Sequence, residues 1–576
     1  MRKIALLSLS LFFIIPVFSQ PATVTWGDEF KMHKGGTDLT VICSDNTGVY
    51  LKESHIDINL FSGIRESATL VKLDNSLVET YHNDFDKELK GKQFSQFYTL
   101  QGKLFILADD YVKKQKTATL YGAEVDKNTG ELAGDWQQIT SWQQEEKSDA
   151  IDFKISTNAD STQMIVVSSI QGKGKNTYEI QQFDKALKPV DKPILISNEF
   201  DAKTFQLEDL LYTSNKKIVL VGRIYEYQEG KKKKDKFLDF KNYNIRIYDE
   251  TGAMQKEINT DIAAKWLVST KVVQEKNKDL VLAAFYSNEK KGNAINGLLV
   301  QRIDPNTGEV LSTSQKEINT SLITTLDDST DADSDDDKDA DSKKEKKEHE
   351  KLAKIEDDAE GFSRYMQFRN IFYTADNGLV ILAEKYHVYT YTTTSYDPGF
   401  NGMPGRMVTR TYTVYECGDL MMSKIDNAGN INWLQVLPKQ QNQTFETGSY
   451  YGGGVYYSVN TSYFYKYNMA FYSGFGAIAG ANTINIFFND DKKNENVLQL
   501  GQKVKTINSY SRSECYQLSL DVTTGKYKRF PLFDNKDQPT AMPRLGSLIG
   551  KDLYIVGKED RLFGKSKIAV AKISVK

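Results

Sequence analysis

The stretch KDLVLAAF (278–285), followed by RIDPNTGEV (302–310), decides the fold. Its first part is a tight polar turn and then an apolar run, too short for a helix and apolar throughout, as a strand buried on both faces must be. Its second part is a strand ending in Asp304, a turn, and a strand leaving. An Asp side chain can accept a bond from its own backbone two residues on, and Gly308 supplies positive φ, so this is hairpin chemistry. The first part recurs as NTGVYL (46–51), GKLFILA (102–108), TQMIVVSS (162–169), KKIVLVGR (216–223), NGLVILAE (377–384), NTINIFF (482–488) and KDLYIVG (551–557), eight copies in all. The second recurs as KLDNSLVET (72–80), EVDKNTGEL (124–132), QFDKALKPV (182–190), IYDETGAMQ (247–255), KIDNAGNIN (424–432) and SLDVTTGKY (519–527), seven copies in all. One such turn says little. Seven of them interleaved with eight buried runs define a repeat.

Each repeat reads as four antiparallel strands, and four-stranded units in tandem pack radially as a β-propeller, which leaves only short protected edges. The eighth unit ends at its third strand, KIAVAKISVK (567–576). The segment TVTWGDEF (23–30) has no unit of its own, and its Trp26 matches Trp136 and Trp433, which lie in or just after fourth strands. The expectation is an all-β chain: one propeller over 20–576, of about eight four-stranded blades, its ring closed by residues 23–30. Seven blades is the alternative, because 438–530 is irregular.

The hairpin Asp126-Lys127-Asn128-Thr129-Gly130 resembles the repeat of quinoprotein-type eight-bladed propellers, as do Asp304 to Gly308 and Asp521 to Gly525. In that family a docking Trp follows the Gly by four residues; here those positions hold Gly134, Ser312 and Arg529. The resemblance implies either a quinone-dependent dehydrogenase or a non-enzymatic scaffold of the outer-membrane assembly kind. The dehydrogenase branch often carries adjacent paired cysteines, whereas Cys43, Cys417 and Cys515 are far apart.

Composition agrees with strands. Tyr (32) and Phe (29) are abundant and Pro (11) is scarce. A net charge of −3 is too near neutral for nucleic acid to be the main partner. The opening MRKIALLSLSLFFIIPVFSQ has a basic start, an apolar stretch Ile4 to Ile15, and small Val17 and Ser19 before a cleavage point, which reads as a signal peptide over 1–19. Export to a periplasm or to the outside is expected, soluble or peripheral to an outer membrane. No later stretch is long enough and apolar enough to span a bilayer as a helix. Three cysteines in so large an exported chain read as free buried thiols, although one pair remains open.

The long insertions, 227–241, 317–365, 388–416, 438–467 and 490–512, all fall on one face, where second strands lead to third strands and fourth strands lead to the next blade. Loops on a rigid scaffold commonly carry function. Residues 327–360 hold 16 Asp or Glu and 7 Lys. The acidic run 327–342 is expected to be a disordered loop, followed by a short charged helix over 343–362, where Leu352, Ile355, Ala359 and Phe362 recur at helical spacing. An EF-hand beginning at Asp333 would need Gly and Glu where Lys338 and Lys344 stand. Residues 390–417 alternate Thr, Val and Tyr about a Gly/Pro turn, a long projecting hairpin, and YYGGGVYYSVNTSYFYKY (450–467) follows on the same face. Tyr pairs a large apolar ring with a polar tip and suits recognition surfaces. The candidate ligand-binding residues are therefore Tyr389, Tyr391, Tyr396, Tyr412, Tyr415, Tyr450 and Tyr451; the other outcome is that these rings pack on one another.

Catalytic motifs are missing. The five histidines (33, 55, 82, 349, 387) form no H-E-x-x-H, and there is no G-x-S-x-G, Walker loop or C-x-x-C. His387 reads as structural. No catalytic residue, metal ligand or cofactor is assigned. The expectation is an exported, monomeric, non-enzymatic binding or scaffold propeller of the cell envelope, taking a protein or glycan on its insertion face. The alternative is an enzyme acting on polysaccharide or a quinone-dependent substrate at the ring centre.

Overall fold

The computed structural model describes residues 21–575 apart from 33–35, 60–62, 148, 159–160, 173–174, 199–203, 214, 230–235, 260–264, 275–278, 290–293, 318–361, 364, 398–405, 452–453, 457–469 and 560–566. The signal peptide reading, the acidic run and nearly all of the 343–362 helix reading lie outside these residues. Phe362, placed at the end of that helix, pairs as a strand with Ile295.

The described chain is all-β, with antiparallel sheets of four strands in tandem, the arrangement expected of a β-propeller. The first sheet comprises Gly36–Asp45, Gly48–Asn59, Gly63–Leu73 and Glu79–Asp84. The second runs from Gln93–Leu100 to Gln137–Gln143, the third from Ala150–Thr157 to Ile194–Asn198, and the fourth from Phe205–Tyr212 to Met254–Asn259. The fifth runs from Trp266–Gln274 to Val310–Glu317, the sixth from Met366–Tyr373 to Ile431–Leu437, and the seventh from Phe475–Ala479 to Tyr527–Asp534. The eighth holds Thr540–Ala541, Ser547–Ile549, Asp552–Glu559 and Lys567–Ser574, and its last partner is the N-terminal strand Thr23–Trp26, with Trp26 opposite Ala571. Among the described residues there is no α-helix, and no helix is long and apolar enough to cross a membrane.

The apolar runs explain the packing. Residues of one parity along a run face the preceding sheet and those of the other parity face the next. In the second sheet Leu104, Ile106 and Ala108 join Tyr50, Ala68 and Leu70 of the first, while Phe105 and Leu107 join Met164 and Val166 of the third. The same alternation continues along the chain. Tyr554, Val556, Ile568 and Val570 of the eighth sheet pack with Leu39, Val41, Leu51 and Val71 of the first.

The Asp–Gly turns behave as their chemistry requires. Asp126, Asp304 and Asp521 each accept a backbone N–H through Oδ1 at 2.7 Å. The turns also dock on the preceding sheet. Gly525 has φ of +71°, and a Cβ there would come within 2.7 Å of the Trp433 ring, whose Nε1 donates to the Val522 carbonyl at 3.1 Å. Gly is thus required for both the turn and the docking.

Two segments differ from expectation. Residues 227–241 are largely strand, because Ile218–Glu229 and Lys236–Tyr248 extend one hairpin. The link 438–467 contains the strand Gln441–Tyr451, which pairs with the projecting hairpin of the sixth sheet.

Candidate functional site: the insertion face

The sixth sheet supplies the scaffold of this face. Its strands Leu379–Asp397 and Arg406–Ile425 are 19 and 20 residues long. Up to Glu384 they follow the repeat. The register then shifts, and Tyr386 to Asp397 pair with Arg406 to Cys417 as the projecting hairpin. Ile431–Leu437 covers the ring part of the outer edge, and Gln441–Tyr451 covers the projecting part. The chain steps from one to the other at Pro438–Gln440.

A buried ionic cluster marks that step. Lys439 and Glu384 are fully buried, with Nζ 2.7 Å from the carboxylate, and Lys439 Nζ also donates to Gln441 Oε1 at 2.8 Å. Arg369 Nε and Arg544 Nη1 each lie 3.3 Å from Glu384. Both guanidinium groups sit over the Tyr386 ring, at 4.8 and 4.4 Å. Arg544 lies in the 3-10 turn Pro543–Leu545 between two strands of the eighth sheet, so the cluster ties the base of the hairpin across to that sheet. Burial pushes the Cys417 thiol up to about 12, with Glu384 adding to the rise. All three cysteines are free, and Cys417 and Cys515 are buried.

Beside this cluster opens a cavity of about 820 Å³. Its walls come from the covering strand at Gln443–Phe445, from Phe471 and Tyr472, from the loop 508–511, from the link 535–540, and from the ends of strands in the eighth sheet. These segments are, or adjoin, connections from a second strand to a third or from a fourth strand onward. Gln443 Oε1 accepts the backbone N–H groups of Phe471 and Tyr472 at 2.9 and 3.0 Å, which fixes the aromatic wall. In that wall Phe445 and Phe471 centroids are 5.3 Å apart, and Tyr472 stacks on Tyr510 at 5.6 Å. The lining also includes the exposed polar residues Asn508, Lys536, Asp537 and Gln538. A lining that combines apolar ring surface with amides and charges suits a ligand with both hydroxyl groups and C–H faces.

The candidate tyrosines do not share one environment. Tyr415 is 1 % exposed and packs on Phe445 at 5.7 Å, within the core shared by the first and eighth sheets. Tyr391 is buried and stacks on Tyr412 at 5.2 Å across the hairpin, and Tyr389 lies 5.5 Å from the His387 ring. Tyr396 stands 64 % exposed. The backbones of Tyr450 and Tyr451 pair with Thr409 and Val408. His387 is buried, stacked on Tyr365 at 3.8 Å, with Nδ1 3.8 Å from Glu416. The cavity residues themselves escaped sequence reading, because they come from segments scattered between Gly27 and Ala569 and none has a motif.

Two other clefts hold charged groups. About 490 Å³ opens where the first strands of the fourth, fifth and sixth sheets meet, beside the Lys271–Asp209 pair at 2.6 Å. A smaller cleft of about 230 Å³ between the second and third sheets holds Asp109, Asp110, Asp149 and Asp152. Burial raises the Asp109 carboxyl to about 6, and the charges of Glu66, Asp110 and Asp152 add to the rise. Among the described residues, His55, Asp84 and Asp86 bring possible metal-ligand atoms within 4.8 Å of one another.

No family model matches the chain, and no curated protein sequence matches it. Among solved structures it is similar to an α-L-arabinanase from Penicillium chrysogenum, with 9 % identity over 52 % of this chain and 98 % of that one, at a TM-score of 0.28. It is also similar to the β-propeller domain of the Trilobed protease from Pyrococcus furiosus, with 11 % identity over 70 % and 97 % of the two chains, at 0.27. The polysaccharide lyase Uly1 shares 8 % identity over 83 % and 89 %, at 0.31.

Proposed function

We propose that the eight sheets are the blades of one ring closed by Thr23–Trp26, and that the chain is an exported binding propeller of the cell envelope. Its ligand is a glycan, held in the 820 Å³ cavity of the insertion face. The observation that carries this reading is the cavity's composition: aromatic rings held by Gln443, together with amide and charged side chains. Sugars offer hydroxyl groups to amides and C–H faces to aromatic rings, so both kinds of lining residue can engage one ligand. The exposed Tyr396 on the adjoining hairpin extends the recognition surface. Calorimetric titration with oligosaccharides released from the envelope tests it. Asn508→Ala with Gln538→Ala, both exposed, should weaken binding at least tenfold while leaving the unfolding transition in place. Unchanged affinity would sink the assignment to this cavity.

A second reading, an enzyme acting on polysaccharide, is favoured by Asp109. A carboxyl raised to about 6 beside other carboxylates is suited to general acid work. Release of new reducing ends by the wild-type chain, abolished by Asp109→Asn, would make this the better reading. Absence of such release from every envelope polysaccharide that binds would remove it.

A further inference from the structure

We infer that the first sheet carries a site for a divalent transition-metal ion, zinc foremost, with His55, Asp84 and Asp86 as its protein ligands. Phe85 is buried among Ala68, Leu70 and Phe97 in the core shared with the second sheet, and its N–H donates to the Ala68 carbonyl at 3.0 Å. Asp84, the last residue of its strand, is thereby turned to the opposite face, and Asp86, in the turn that follows, is held beside it by its own N–H. Register places Thr69 opposite both Glu53 and Asp84, and Ser67 opposite His55. That face therefore gathers His55, Asp84, Asp86 and Glu53 about two hydroxyl groups.

The geometry is close. His55 Nε2 lies 2.9 Å from Asp86 Oδ1 and 3.9 Å from Asp84 Oδ2. Asp84 uses its other oxygen to accept the Asp86 N–H at 2.7 Å, which sets the two carboxylates side by side. One imidazole nitrogen and two carboxylates form a donor set that zinc and its neighbours accept, with open positions left for water. His55 is 2 % exposed, and the two carboxylates are partly exposed, which leaves a path for the ion.

A second, independent observation points the same way. The Ser67 and Thr69 hydroxyls are wholly buried and have no hydrogen-bond partner among the described residues. Buried polar groups are normally satisfied. Waters carried by a bound ion would donate to these oxygens, as outer-shell partners do in metal sites. Glu53, fully buried, has His82 Nε2 at 3.5 Å, and a divalent ion on the same face would offset the negative charge there.

The test uses the full chain, without an affinity tag and stripped with chelator. Titration with Zn²⁺ should give one ion per chain and shift one of the five imidazole signal sets in the proton–nitrogen spectrum, that of His55. Co²⁺ should give visible absorption bands of nitrogen and oxygen ligation. Asp84→Asn and Asp86→Asn should each weaken binding at least tenfold, and Ser67→Ala a few-fold. A chain lacking 327–342 should bind equally well, since that acidic run is a separate attractor of cations. Absence of a stoichiometric imidazole shift in the wild-type chain overturns the site whatever the variants do. Undiminished binding in a folded Asp84→Asn, Asp86→Asn double variant, or loss of binding with 327–342, overturns it as well.

Discussion

The third and sixth sheets are built from the same repeat and end differently. In the third, the buried run MIVVSSIQ closes in Ser168 and Ser169, and its strands pair without a single register shift. Small neutral side chains let the strand stop at the rim of the sheet. In the sixth, the corresponding run ends in Glu384 and continues for another 13 residues to Asp397. A carboxylate at that depth must be paired, and a long hairpin edge must be covered. Lys439, Arg369 and Arg544 provide the first and Gln441–Tyr451 the second. One repeat unit thereby becomes the support of the insertion face through a charge and a covering strand.

The sharpest way to break that contrast is Lys439→Met. Removing one partner of a buried pair leaves an undercompensated charge, so urea unfolding at neutral pH should show a loss of about 3–5 kcal/mol. Ser169→Ala, at the matching place in the third sheet, should change stability by less than about 1 kcal/mol. Adding Glu384→Gln to Lys439→Met should recover part of the loss. If Lys439→Met were as mild as Ser169→Ala, the ionic cluster would not be what holds the hairpin base.

The projecting hairpin itself contains both kinds of side chain. Tyr415→Ser empties a core position and should cost about 3 kcal/mol, seen as a lower unfolding midpoint. Tyr396→Ser should stay within about 0.5 kcal/mol of wild type yet reduce ligand binding. The reverse ranking would place Tyr396 in the core and Tyr415 at the surface.

Asp109 extends the comparison to the cleft beside the third sheet. Its carboxyl is raised from the ordinary Asp value of 3.8 to about 6. Between those values the folded chain holds a proton that the unfolded chain has released, so this group's contribution to stability falls as pH climbs through that window. Above it, the ionised carboxyl is a standing cost, trimmed by its partial exposure. Asp109→Asn should therefore stabilise by about 1 kcal/mol at pH 8 and leave pH 4 unchanged. A gain at pH 4 would show that the effect is not electrostatic. The smallest effect belongs to deletion of 327–342, whose stretch from Asp327 to Asp341 contains no apolar residue larger than Ala. Because loop-closure entropy changes slowly with length, the midpoint should move by no more than about 2 °C.

The strands and the Asp–Gly turns were legible along the chain, because each depends on neighbours a few residues away. Asp304 finds the Asn306 N–H whatever surrounds it, and LVLAAF is buried as a strand in any packing. The pairing of Thr23–Trp26 with Lys567–Ser574 was legible too, since a unit short of one strand leaves an edge to fill. Tertiary structure decided which tyrosines became core. Tyr415 and Tyr396 have the same chemistry and the same strand pattern; only the arrival of Phe445 and Phe471 from distant segments buried one and left the other in solvent. Tertiary structure also made the 820 Å³ cavity and the His55–Asp84–Asp86 grouping. Both join residues whose meeting depends on how strands register and sheets stack, and that is set by the sum of many weak contacts across the molecule, which no local stretch encodes.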